Sequence, residues 1–135
     1  MKFAAGKYYV GDLCYVLSDR WDEFCDLTIV NREVLDGGFI MKDGTRFWTH
    51  TTMYGDGSYY DGQGREYGVD AGIIGVVSMD QIDKDPNCLD GGQVVEFKIP
   101  FEPYYASGVF QIGNIRIDTS GSNDYDYEEE DEYAV

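Results

Sequence analysis

Basic and nucleophile-activating residues are scarce in this chain. Ten Lys and Arg stand against 26 Asp and Glu, a net charge of −16 at pH 7. Phosphate contacts need Lys and Arg, so direct nucleic-acid binding by the general surface is excluded. Histidine occurs once, as His50 among Thr49, Thr51 and Thr52. A lone histidine on a strand reads as a surface or hydrogen-bonded residue before it reads as a catalyst. No G-x-S-x-G, P-loop or Cys–His pairing is present. The cysteines Cys14, Cys25 and Cys88 are odd in number and widely spaced, which suggests neither a zinc site nor a disulfide framework. They read as reduced thiols in a cytoplasmic protein. The most apolar run, Ala71 to Val77, is too short to span a bilayer, and "MKFAAGKYYVGD" is no signal peptide.

What is plentiful is glycine and aromatic residues: 17 Gly, twelve Tyr and seven Phe, with only three Pro. That composition suits short strands and tight turns. "KYYVG" and "LCYVL" read as strand segments broken at Gly11-Asp12. Ser18 is then placed to cap a short helix over Asp19 to Leu27, where Trp21, Phe24, Cys25 and Leu27 fall near helical spacing. Two hairpins follow, around Lys42-Asp43-Gly44 and around Asp61-Gly62-Gln63-Gly64, the second turn supplying positive-φ positions. Ile73 to Met79 reads as a strand covered on both faces, and Gly108 to Ile117 alternates cleanly. The expectation is a mainly β domain over residues 1–117, an antiparallel barrel or roll of about eight short strands with one short helix. Residues 118–135 form an acidic, flexible tail with eight acids and no base.

Three acids interrupt or precede apolar runs beside glycine: Asp12, Asp56 and Asp70. Each reads either as a turn-former bonding nearby amides or as part of a site at one end of the sheet. The segment from Asp56 to Glu66 lacks the alternating ligands of a calcium loop, since Ser58 and Tyr60 hold its third and fifth positions. No metal and no cofactor is expected. Trp48, Tyr54, Tyr59, Tyr60 and Tyr67 surround the same glycine-rich stretch. Adjacent strand residues point to opposite faces, so one of Tyr59 and Tyr60 faces outward. Outward rings with Arg46 and Arg65 nearby in sequence could stack a base or sugar and neutralise a phosphate.

"GDLCY" (Gly11 to Tyr15), "YGDGSYY" (Tyr54 to Tyr60) and "VDAGIIGVV" (Val69 to Val77) together resemble an uncharacterised family of small bacterial and phage β-rich proteins. Its members carry D-P-C-Y, G-D-G-x-Y and V-D-S-G elements. The resemblance covers roughly Lys7 to Val77 and implies a β-rich fold with a candidate site around Asp12, Asp56 and Asp70. Here Leu13 replaces the Pro and Ala71 the Ser, which removes any nucleophilic hydroxyl at residue 71.

These readings lead to a non-enzymatic binding protein of phage or bacterial origin. It would sequester a small polar, nucleotide-like ligand or occupy a host protein in an anti-defence role. The ligand-binding set is Asp12, Tyr15, Trp48, His50, Tyr54, Asp56, Tyr59, Arg65 and Asp70. One alternative is an acidic DNA mimic, and another is a hydrolase using the Asp cluster.

Overall fold

A computed structural model describes residues 1–82 and 91–121. In chain order the elements begin with β1 (Gly6–Gly11), α1 (Trp21–Thr28), β2 (Ile29–Val30) and β3 (Glu33–Val34). Next come β4 (Gly37–Ile40), β5 (Arg46–Thr51), β6 (Gly57–Tyr60), β7 (Glu66–Val69) and β8 (Ile73–Ser78). The last are β9 (Gln93–Phe97), β10 (Tyr104–Ala106), β11 (Val109–Ile112) and β12 (Ile115–Asp118). The chain is mainly β and antiparallel, with one short α-helix.

The strands are shorter and more numerous than expected, twelve among the described residues. Five form a sheet in the order β4-β5-β8-β1-β9, which ends at β4 and β9 without closing into a barrel. β10, β11 and β12 form a second sheet, and β2-β3 and β6-β7 are separate hairpins. A bridge from Asp61 to Ile117 ties the β6-β7 hairpin to β12.

β8 is paired on both edges, with β5 and β1, and each of its faces is buried in a core, so its apolar run needs no polar alternation. Ile74 and Val76 face one core, with Tyr8, Val10 and Trp48 from the same sheet. Phe110, Ile112, Ile115 and Ile117 of the second sheet close that core from the other side. Ile73 and Val77 face the opposite core, with Tyr9, Leu13, Leu17, Phe24 and Phe47. α1 covers this second core through Phe24, whose ring stacks on Trp21 at 4.3 Å and on Phe47 at 5.0 Å. Fully burying one such ring contributes about 1.5–3 kcal/mol.

Several local expectations are corrected. Leu13 to Leu17 is not a strand: Leu13–Tyr15 is a 3₁₀ turn capped by Asp12, whose carboxylate accepts the Cys14 N–H. Ser18 opens a second 3₁₀ turn, Ser18–Arg20, and caps nothing; α1 starts after Arg20 with no side-chain cap. In the Asp61 turn only Gly64 has positive φ, +81°. Gly108 to Ile117 is a hairpin, turning at Gly113 with φ +59°. That two-residue turn sets Ile112 opposite Ile115, so the inward positions change parity from even to odd numbers.

The expected boundary after residue 117 falls inside β12. Thr119 beyond it is fully buried, and its N–H donates to the Gly108 carbonyl at 2.7 Å. Cys88 and residues 122–135, most of the expected tail, lie outside the described residues. Among the described residues no helix is long and apolar enough to cross a membrane.

Candidate functional site

Gly11 ends β1 at the edge where β5 ends and β8 begins, and Asp12 follows directly. Its carboxylate is fully buried. Oδ2 accepts the backbone N–H of Asp70 at 2.7 Å and of Ala71 at 2.6 Å; Oδ1 accepts that of Cys14 at 3.0 Å. A carboxylate in this position satisfies three amides that no strand ladder reaches. Burial, the hydrogen bond to Asp12 and the negative charge of Asp12 and Asp70 push the Cys14 thiol up to about 12, partly offset by the Ala71 amide. Cys14 is therefore a thiol, not a thiolate nucleophile, at neutral pH.

Asp70 itself points to solvent, as do Asp56 and Tyr54. Their loops adjoin through the backbone: Thr52 N–H donates to the Gly72 carbonyl at 3.0 Å. A Cβ on Gly72 would lie 3.7 Å from Gly55 Cα, and Gly72 holds φ +78°, which glycine adopts without strain. The three motif acids thus share one end of the sheet. Asp12 is buried under the backbone, while Asp56 and Asp70 stand above it in water.

The rings of the expected set divide differently. Trp48 is buried against Phe110 in an edge-to-face contact at 6.0 Å, and Tyr59 is buried with its hydroxyl donating to the Gly55 carbonyl at 2.9 Å. Neither ring is presented to a ligand. Tyr60 is the outward member of its pair. The half-buried Tyr15 ring packs over Gly91, where a Cβ would come within 2.4 Å of it.

Arg65 is likewise committed. The Asp61 carboxylate accepts Arg65 Nε at 2.8 Å, the Tyr67 hydroxyl at 2.8 Å and the amides of Gln63 and Arg65. Burial alone would raise Asp61, but these donors outweigh it and hold the acid below its ordinary value. Burial and the bond to Asp61 push Tyr67 up. Arg46 lies at the far end of β5, over the Phe3 ring and donating to the Lys2 carbonyl. The two arginines therefore form no joint phosphate clamp.

His50 lies at the Asp12 end of β5. Its imidazole stacks on Tyr105 at 3.7 Å, Nδ1 donates to the Thr51 carbonyl at 2.8 Å, and Nε2 faces Asp36 at 3.6 Å. Asp36 also accepts the Thr51 N–H at 2.8 Å, so the pair fastens the chain before β4 to the end of β5. Among the described residues no three His, Cys, Asp or Glu side chains converge as metal ligands would.

The surface that the motifs do not mark is the β2-β3 hairpin. Ile29, Val30, Val34 and Leu35 are exposed at 46, 44, 49 and 40 %. Asn31 and Arg32 form its tip at positive φ, +53° and +68°. Ile29, Val34 and Leu35 open onto a cavity of about 90 Å³ floored by Phe24, Thr28 and Ile73. The readable signal was a pair of apolar doublets, Ile29-Val30 and Val34-Leu35, flanking Asn31-Arg32-Glu33. No family model, curated protein or solved structure matches the chain.

Proposed function

We propose that this chain is a non-catalytic binding protein that docks a protein partner through the β2-β3 hairpin. The observation that carries the reading is the exposure of Ile29, Val34 and Leu35 around one apolar cavity, with Val30 exposed on the other face of the same ladder. A contiguous apolar patch rimmed by polar residues marks an interaction surface far more often than an isolated exposed leucine does. The small-ligand alternative is weakened because Trp48 and Tyr59, its stacking rings, are core residues and Arg65 is held by Asp61. The hydrolase alternative loses support because, of its Asp cluster, Asp12 is buried and accepts three fixed amide donors while Asp56 and Asp70 stand exposed. The resemblance to phage and bacterial proteins favours a bacterial partner, an anti-defence role being an argument by analogy.

The test compares the wild type with a Val34→Glu, Leu35→Glu variant as baits in bacterial lysate. A protein retained by the wild type and lost by a variant that melts normally is the expected result. A nucleotide or sugar that raises the melting temperature equally in both chains would instead favour the small-ligand reading. Turnover of such a hit would overturn the non-catalytic reading altogether.

A further inference from the structure

Resting on that reading, we propose that the cavity between α1 and the β2-β3 hairpin takes one aliphatic side chain from a basic segment of the partner. The cavity measures about 90 Å³. An engineered cavity of about 150 Å³ takes benzene, so this one suits a Leu, Ile, Val or Met side chain better than an aromatic ring. Its floor and walls, Phe24, Thr28, Ile73, Ile29, Val34 and Leu35, present carbon with the Thr28 hydroxyl turned away to the Phe24 carbonyl at 2.9 Å.

The rim decides the partner's charge. Two exposed acids, Asp22 and Asp70, adjoin the cavity-lining residues Trp21 and Ala71 in sequence, and Asp26, next to the lining residue Cys25, belongs to a neighbouring pocket with Glu23 and Lys42. Of the nearby bases, Arg20 is bound to Asp43, Thr45 and the Gln81 carbonyl, which leaves Arg32 at the hairpin tip and Lys42 in the pocket beside Asp26. An acidic or phosphate-bearing surface would meet this rim with like charge. A second copy of the chain would too, bringing −16 against −16. A Lys- and Arg-rich segment would be steered onto it, with an on-rate that falls as salt rises.

Three synthetic peptides of equal length test this by NMR on the full chain: a leucine flanked by lysines, the same peptide with alanine for leucine, and the leucine flanked by glutamates. The expected result is that the lysine–leucine peptide shifts the methyl resonances of Ile29, Val34 and Leu35. Its binding should weaken about tenfold on leucine-to-alanine replacement, the scale for burying one aliphatic side chain. Neutralising the acids beside the cavity by Asp22→Asn and Asp70→Asn, both exposed, should weaken the lysine–leucine peptide's binding and flatten its salt dependence. Equal binding of the glutamate peptide overturns the charge assignment while leaving an apolar docking surface in place. If neither leucine peptide moves those methyls, or the lysine peptide shifts only the acidic C-terminal residues, the cavity assignment is wrong. Failure of the docking reading shows separately, as lysate capture indifferent to Val34→Glu, Leu35→Glu.

Discussion

Asp12 and Asp70 are 58 positions apart, and the first holds the second in place: the buried carboxylate of Asp12 accepts the Asp70 amide at 2.7 Å. The same oxygen takes the Ala71 amide, and the other takes that of Cys14. Asp12→Ala orphans three amide donors at once. A hydrogen bond to a charged group contributes about 1.5–3 kcal/mol, so a loss of at least about 3 kcal/mol is expected. Asp12→Asn, which keeps one acceptor, should lose less. Urea denaturation of the three chains measures this, and an alanine variant as stable as the wild type would refute the staple.

Asp61 makes a prediction about acid. Its pKa is lowered in the fold, burial being outweighed by the Tyr67, Arg65 and Gln63 donors. The charged form is therefore bound more tightly in the folded state than in the unfolded one. The stability this contributes is complete above the ordinary aspartate value of 3.8 and is lost as pH falls below it through the folded value. Thermal melts of the wild type and Asp61→Asn between about pH 2 and 7 should show a gap that is widest near neutrality and closes in acid. A gap that is constant with pH would contradict the ion pair's role.

Cys14 should be chemically quiet. With its thiol pushed up to about 12 by burial and by Asp12, it holds far less thiolate at mildly alkaline pH than an ordinary cysteine. Iodoacetamide at about pH 8, followed by peptide mass spectrometry, should label Cys14 at least about tenfold more slowly in the folded than in the urea-unfolded chain. Equal rates would mean that the Asp12 pocket opens freely.

Gly75 has no room for a side chain. A Cβ there would lie 2.4 Å from the Trp48 carbonyl oxygen and 2.8 Å from Leu13 Cδ1. The oxygen belongs to the neighbouring central strand, so it cannot yield as a flexible side chain would. Gly75→Ala should cost at least about 2 kcal/mol, within the range for overpacked cores. Chemical denaturation giving a difference under about 0.5 kcal/mol would show that the strands can part here.

Much of this fold was readable because it rests on local chemistry. The hairpin turns, the doubly covered β8 and the helix at Trp21 each follow from a short run of residues. The meeting of Asp12 with Asp70 was also legible, since both stand at strand ends beside apolar runs. What the acids do there was not, because whether a carboxylate turns inward depends on which amides the fold leaves without partners. Tyr59 and Tyr60 were separable only as a pair; pairing of Tyr59 with the buried Tyr67 across β6-β7 decides which one is core. The β2-β3 hairpin escaped notice because strands of two residues are too short to show a period. Arg46 and Arg65 were neighbours only along the chain.

The sheet order has a consequence for how the chain acquires its shape. β1, made first, pairs with β8 and β9, with Gly6 opposite Phe97. Its tyrosines have no ladder to join until most of the chain exists. The closing step joins residues far apart in sequence, and the entropy of that loop must be spent before the contacts form. Folding should therefore be slow for a chain of this size, and until then "KYYVG" stands as an unpaired, aromatic-rich strand exposed to wrong partners.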